Sequence, residues 1–193
     1  MSTGADTVSP WLSRWAHLIA PGGSVLDVAA GSGRHTRWLA ARGHAVTAID
    51  RDAVAMQSLA DCAETIVADI EGRPWPLVGR RFDAVLVANY LWRPLLPELV
   101  AATGPGGVFL YETFAIGNER VGRPVRPEFL LLHGELLGAV PGLRIVAYED
   151  GFLDDPERFV QRIVAVRERV ADLPARHRLV GPGGEAGSLE STG

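Results

Sequence analysis

Lysine is absent: all 19 basic residues of this 193-residue chain are arginines. That excludes a Walker-type phosphate loop, whose lysine must reach the phosphates. It also excludes a pyridoxal enzyme, which needs a Schiff-base lysine, and the Tyr-x-x-x-Lys pair of short-chain dehydrogenases. Cysteine is nearly absent too. Cys62 stands alone, so no intrachain disulfide and no CxxC zinc site can form, and it reads as a packed thiol. The five histidines (His17, His35, His44, His133, His177) contain no His-x-x-x-His pair, and no metal is expected. No apolar run approaches the roughly 18 to 20 residues of a membrane span. Met1 to Pro10 lacks the charged start and apolar core of a secretion signal, so a cytoplasmic protein is expected. With a net charge of −4 and no basic stripe along the chain, no nucleic-acid partner is expected.

What remains is an ordinary globular composition, 47% hydrophobic and 22% charged. The length suits one α/β domain, expected over residues 1–180. Short apolar runs alternate with amphipathic stretches, as in βαβ units. Strands are predicted at Val25–Ala29, Ala45–Ile49, Thr65–Ala68, Asp83–Ala88 and Val108–Glu112. A closing hairpin-like pair is predicted at Arg144–Glu149 and Phe159–Arg167. Helices are predicted at Leu12–Ile19, lying over the ligand end or the sheet edge, then after Gly33 as far as Gly43, and after Asp52, which can cap. Two more are predicted near Leu95–Ala102 and over Glu128–Leu137. Glu71–Arg81 and the arginine-bearing stretch Ala115–Pro127 read as loops. From Gly181 onward Gly, Pro, Ser and Glu dominate, and a disordered tail is expected.

Ligands of open α/β sheets bind at the carboxyl ends of the strands, where the strand order reverses. Asp50, Asp69 and Asn89 each fall at such an end. The turn Ala30-Gly31-Ser32-Gly33 follows the first strand, and its glycines allow close backbone approach to a ligand. Asp50, seventeen residues after Gly33, is placed to accept hydrogen bonds from both hydroxyls of a ribose. A glycine turn followed by an acid is shared by nicotinamide, flavin and sulfonium-nucleoside binders. Two details discriminate. The dinucleotide fingerprint wants a third small residue where Thr36 stands, and Asp27 lies just ahead of the turn, where a pyrophosphate would be repelled but a cation tolerated.

The run Val25-Leu-Asp-Val-Ala-Ala-Gly-Ser-Gly-Arg-His-Thr resembles motif I of the class I S-adenosylmethionine-dependent methyltransferases. Asp50, the pair Asp69-Ile70, Phe82-Asp-Ala-Val-Leu and Pro105-Gly-Gly match the later motifs in order, over about residues 20–165. The one departure is Ala29, where that family usually has its first glycine. The resemblance implies an α/β fold, a Rossmann-like three-layer sandwich of about seven strands, mostly parallel with an antiparallel last strand. It implies S-adenosyl-L-methionine as cofactor. Asp27, Ala29, Gly31 and Gly33 would hold its methionine part, Asp50 and Arg51 the ribose side, and Asp69 and Ile70 the adenine. Ala88 and Asn89 would meet the amino-acid end.

For the methyl acceptor the candidates are Tyr90, Trp92, Arg93, Glu112 and the loop arginines Arg120, Arg123 and Arg126. Asn89-Tyr90-Leu91-Trp92 replaces the Asn/Asp-Pro-Pro-Tyr/Phe signature of amino-group methyltransferases, which argues against DNA adenine chemistry. No general base stands out. Arg123-Pro-Val-Arg126-Pro-Glu-Phe-Leu-Leu, with Gly134-Glu-Leu-Leu and Val160-Gln161-Arg162-Ile163, is similar to stretches of bacterial tellurite-resistance-type methyltransferases. That implies a small anionic acceptor, which guanidinium groups suit. Two other readings stay open: a cofactor-binding regulatory protein without catalysis, and a nicotinamide-binding oxidoreductase, which the missing third glycine disfavours.

Overall fold

The computed structural model describes residues 7–181. Its centre is the apolar run that sequence alone marks as a buried strand, β1 (Ser24–Val28), covered on both faces. Such two-sided burial suits a central parallel strand, whose side chains point alternately into two core layers. β2 (Ala45–Asp50) and β3 (Glu64–Val67) extend the sheet to one side. β4 (Phe82–Ala88) starts afresh on the other side of β1, followed by β5 (Thr103–Phe114). β7 (Glu157–Val166) pairs antiparallel with β5, and β6 (Arg144–Asp154) lies outermost. The order is β3-β2-β1-β4-β5-β7-β6, with β1 to β5 all parallel.

One face carries Val25, Ala84, Leu86, Val108, Leu110, Val164 and Val166. The opposite face carries Leu26, Val28, Val85, Val87, Phe109 and Tyr111. The first is covered by α1 (Pro10–Trp15) and α2 (Arg34–Ala40), the second by α4 (Leu96–Ala102) and the chain around Leu131 and Leu136. A satellite core under α3 (Ala53–Gln57) joins Met56 and Leu59 to Ala30 and Ala48. This is the Rossmann-like three-layer α/β sandwich. No helix among the described residues is long and apolar enough to cross a membrane.

Three expectations change. The amino-terminal helix is α1 plus a 3-10 turn at Ala16–Leu18, and it lies on a sheet face instead of over the ligand end or the edge. Trp11, Leu12, Trp15 and Ile19 are all buried there, because their spacing makes one apolar stripe that only a sheet face can cover. Ser9 caps α1 by accepting from the amides of Trp11 and Leu12, with Pro10 in the first helical position.

The helix expected over Glu128–Leu137 is broken. Pro127–Phe129 forms a 3-10 turn, Leu131 bridges to Ala115, and only Glu135–Gly138 (α5) is helical. Leu131 N–H donates to Phe114 O at 3.0 Å and Ile116 N–H to Leu131 O at 2.9 Å. Those bonds outside the segment, with Gly134 at φ 73°, replace the helical ladder. The closing strands are longer than expected and form one continuous hairpin. The tail expected from Gly181 lies, beyond Gly181 itself, outside the described residues.

Candidate functional site

Strand order reverses between β1 and β4, so their carboxyl ends diverge into a crevice. Ala29 and Asn89 are the residues directly after these two strands. Among the described residues they alone, apart from glycines, have positive φ, 53° and 57°. Asparagine tolerates this backbone, whereas for alanine it costs about 1 to 2 kcal/mol. Strain of this kind gathers at ligand sites. Both residues line a cleft of about 330 Å³ together with Asp50, Arg51, Ala68, Asp69, Ile70, Glu71 and Tyr90.

The carboxylate of Asp50 organises the floor. Its Oδ2 accepts from Gly31 N–H at 2.9 Å and its Oδ1 from Asp52 N–H at 2.9 Å. Each oxygen keeps a second lone pair, enough for one further donor apiece. Arg37 holds the glycine turn from outside, donating to Ser32 O at 2.5 Å and to the Ser58 hydroxyl at 3.0 Å. Asp69 accepts from Glu71 N–H at 3.0 Å, a local turn that sets Glu71 on the cleft wall. Sequence reasoning passed over Glu71, although an acid two residues after Asp69 was there to be read.

Residues 25–107 match the model of a family described as a methyltransferase domain. They contain β1 from Val25 onward, β2 to β4, the glycine turn and every residue of the cleft. No curated protein matches the chain. Among solved structures the fold is similar to TehB from Haemophilus influenzae, with a TM-score of 0.64 and 20% identity over 79% of this chain. The match spans 59% of the TehB chain. A TehB-like S-adenosylmethionine-dependent methyltransferase from Corynebacterium glutamicum aligns at TM-score 0.57 and 22% identity, covering 78% of this chain and 85% of that one. The 1,6-didemethyltoxoflavin-N1-methyltransferase of Burkholderia thailandensis, solved with S-adenosylhomocysteine, aligns at 0.59 and 19%, covering 81% and 76%.

Residues 25–107 carry a methyltransferase domain, and the described chain has the fold of these solved methyltransferases.

A second cleft of about 180 Å³ adjoins the first and shares Glu71, Asn89 and Tyr90 with it; Leu91, Thr113, Phe114, Pro124 and Phe129 complete its wall. The Tyr90 hydroxyl is buried and has no hydrogen-bond partner among the described residues. Burial, reinforced by Glu71 and Asp69, raises its pKa and keeps it protonated. It is therefore a protonated donor facing the Glu71 carboxylate, at the junction of two clefts.

The other sequence candidates are dispersed. Gly31, Gly33 and Ala88 are not among the residues that line the cleft. A Cβ on Gly31 would meet open space, but on Gly33 it would overlap the Leu59 side chain. Gly33 thus serves packing between the turn and the segment after α3. Trp92 lines a separate cleft with Ile70 and Trp75. Arg93 is committed to a two-pronged pair with Glu135 at 2.6 and 2.9 Å and to the carbonyls of Glu128 and Leu130. Glu112 is buried beside Arg162 at 3.1 Å. In the arginine loop, Arg126 pairs with Glu128 and lies over Phe129, and Arg120 has Glu119 at 3.9 Å. Arg123 is exposed. The loop reaches the second cleft through Pro124 and Phe129, and buried Asn118 ties it down by donating to Pro124 O and accepting from Phe159 N–H.

Asp27 is buried on the α1/α2 face, accepting from the Thr36 hydroxyl at 2.6 Å. Burial lifts its pKa to about 6, with Thr36 opposing. His35 next to Thr36 is buried as well. Its Nε2 accepts from Ser9 N–H at 3.3 Å, and burial lowers its pKa to about 4. The two groups act on stability with opposite signs. Neutral His35 contributes fully above pH 6.5, and that contribution, about 3 kcal/mol, is lost as pH falls toward 4. Ionised Asp27 costs a similar amount above pH 6, relieved as pH falls toward 4. Replacing His35→Gln leaves only the Asp27 slope. Relative to wild type, the variant should gain stability steadily from pH 6.5 down to 4, read from urea midpoints. Parallel pH profiles for the two proteins would show that His35 does not titrate as its burial requires.

Proposed function

We propose that the protein transfers the methyl group of S-adenosylmethionine to a small acceptor, and that the two joined clefts hold cofactor and acceptor side by side. The observation that carries this is the sharing of Asn89 and Tyr90 by a carboxylate-lined cleft and a smaller, more apolar one. Asp50 would take the ribose hydroxyls on its two remaining lone pairs, and Asp69 with Ile70 would flank the adenine. Asp50, Asp69 and Glu71 on one wall make an electronegative setting that suits a sulfonium and disfavours a pyrophosphate.

Bound S-adenosylmethionine supplies an electrophilic methyl group. What the chain supplies is position. Holding the acceptor atom in line with that methyl supplies several kcal/mol, up to about 7 to 11 when alignment is good. Tyr90, protonated and beside Glu71, would donate to the acceptor and fix its orientation. Glu71 is the carboxylate nearest to that hydroxyl's influence and the one group placed to receive a proton from an acceptor that must lose one.

Calorimetric titration with S-adenosylhomocysteine and with NADH tests the cofactor half. S-adenosylhomocysteine should bind and NADH should not. The acceptor half is tested by methyl transfer to a panel of small acids and their neutral analogues. Tyr90→Phe should raise the acceptor KM at least fivefold while leaving S-adenosylhomocysteine affinity within twofold. Binding of S-adenosylhomocysteine with no transfer to any acceptor would favour a cofactor-binding regulatory protein over this reading.

A further inference from the structure

The second cleft has a polar end and an apolar body. Glu71, Asn89 and Tyr90, which it shares with the first cleft, place polar side chains at the junction, and the Thr113 hydroxyl is the one other polar side chain of its wall. The rest is Leu91, Phe114, Pro124 and Phe129. Its volume of about 180 Å³ is close to that of an apolar protein cavity known to take up benzene, about 150 Å³. A single six-membered ring is the body that fills it. Apolar walls with a few placed polar groups are the usual make-up of a small-molecule site.

The charge of the wall is one-sided. Among the described residues, Glu71 is the one charged residue that lines this cleft. Arg51 is the one cation of the first cleft, where Asp50, Asp69 and Glu71 outnumber it. Arg120, Arg123 and Arg126 line neither. Arg126 reaches the cleft only from behind: paired with Glu128, it lies over the Phe129 ring at 5.2 Å from the centroid and backs an apolar side chain. Buried Asn118 donates to Pro124 O at 3.3 Å and holds the other contribution of the loop in place. The loop therefore offers ring surface to this cleft, not positive charge. An anion here would meet the Glu71 carboxylate with no guanidinium on the same wall.

We propose that the methyl acceptor is an uncharged compound built on a single ring and carrying an N–H or O–H group. Its ring lies against Leu91, Phe114, Pro124 and Phe129, and its protic atom sits at the junction beside Glu71 and Tyr90. This rests on the reading of the first cleft as the cofactor site. Phe114 and Phe129 favour a ring through offset-stacked or edge-on contacts. The transfer balances. The acceptor's heteroatom lone pair forms the bond to the methyl carbon, the methyl–sulfur bond breaks with its electron pair left on sulfur, and the released proton goes to Glu71. A carboxylate at the junction serves an acceptor with a proton to lose; a deprotonated anion has none.

Calorimetry on the full chain at neutral pH, with and without S-adenosylhomocysteine, tests this with phenol, benzoate and sulfite as probes. Phenol should bind at least tenfold more tightly than either anion. Phe129→Ala should weaken phenol binding at least fivefold and leave S-adenosylhomocysteine affinity within twofold. Should that variant fail to fold, Phe129→Leu keeps the bulk without the ring and should still weaken phenol at least twofold. Arg123→Gln should change neither affinity. Benzoate or sulfite binding more tightly than phenol overturns the proposal, and so does phenol affinity that the Phe129 variants leave unchanged. S-adenosylhomocysteine binding without phenol binding overturns it too and leaves the cofactor cleft in place. Phenol binding that Phe129→Ala removes, in a protein that takes no S-adenosylhomocysteine, supports the ring seat and overturns the cofactor reading instead.

Discussion

Asp50→Ala should weaken S-adenosylhomocysteine binding by about 1.5 to 3 kcal/mol, the worth of hydrogen bonds to a charged group. That is a loss of roughly tenfold to more than a hundredfold in Kd, at 1.4 kcal/mol per decade. The carboxylate lines the cleft and also accepts from Gly31 and Asp52 N–H, so its removal takes away a ligand acceptor and loosens the glycine turn together. Asp50→Asn separates the two contributions. The amide oxygen can still accept from one backbone N–H, but the amide nitrogen turns a donor toward the other. Its affinity should fall between wild type and Asp50→Ala in calorimetric titration. Equal affinity in all three proteins would mean that the ribose lies elsewhere, and with it the orientation proposed for the cofactor.

The second large effect is on stability. Gly33→Ala should destabilise the fold by about 2 to 5 kcal/mol, combining the left-handed backbone cost of about 1 to 2 with overpacking of about 1 to 3. Gly33 has φ 79°, and its absent Cβ would lie within 3 Å of three atoms of the fully buried Leu59 side chain. Gly31→Ala is the control. It shares the positive φ, 54°, but faces open space, so it should cost only the backbone part. In a Leu59→Ala background the overpacking part should vanish and the backbone part persist, a coupling that a double-mutant cycle in urea resolves. If Gly33→Ala and Gly31→Ala cost the same, Leu59 moves aside and the glycine is needed for its backbone alone.

Both effects come from residues that the sequence marks by one rule, a glycine turn followed by an acid, yet the structure divides their roles. Gly31 and Asp50 are joined by a hydrogen bond at the cleft, whereas Gly33 is kept small by a leucine twenty-six positions away. No local pattern shows that contact, because Leu59 reaches Gly33 only through the packing of the segment after α3 beneath the turn. Arg93 is similar. Read as an acceptor ligand from its place after β4, it is instead occupied by Glu135, forty-two residues on.

The sequence by itself determined the sheet and the cleft floor. Apolar runs at β1 to β5 are period signals, and Asp50, Asp69 and Asn89 mark the carboxyl ends of β2, β3 and β4, because strand ends and glycine turns are local features of the chain. The fate of Glu128–Leu137 was decided only in three dimensions, since Leu131 found a partner in Ala115 that outweighed its helical spacing. So was the distinction among the arginines. Charge is visible in a sequence, but whether a guanidinium is already neutralised depends on which carboxylate the fold brings within about 4 Å. That distance shows Arg93 as already paired, and it exists only once the fold has brought Glu135 back beside it.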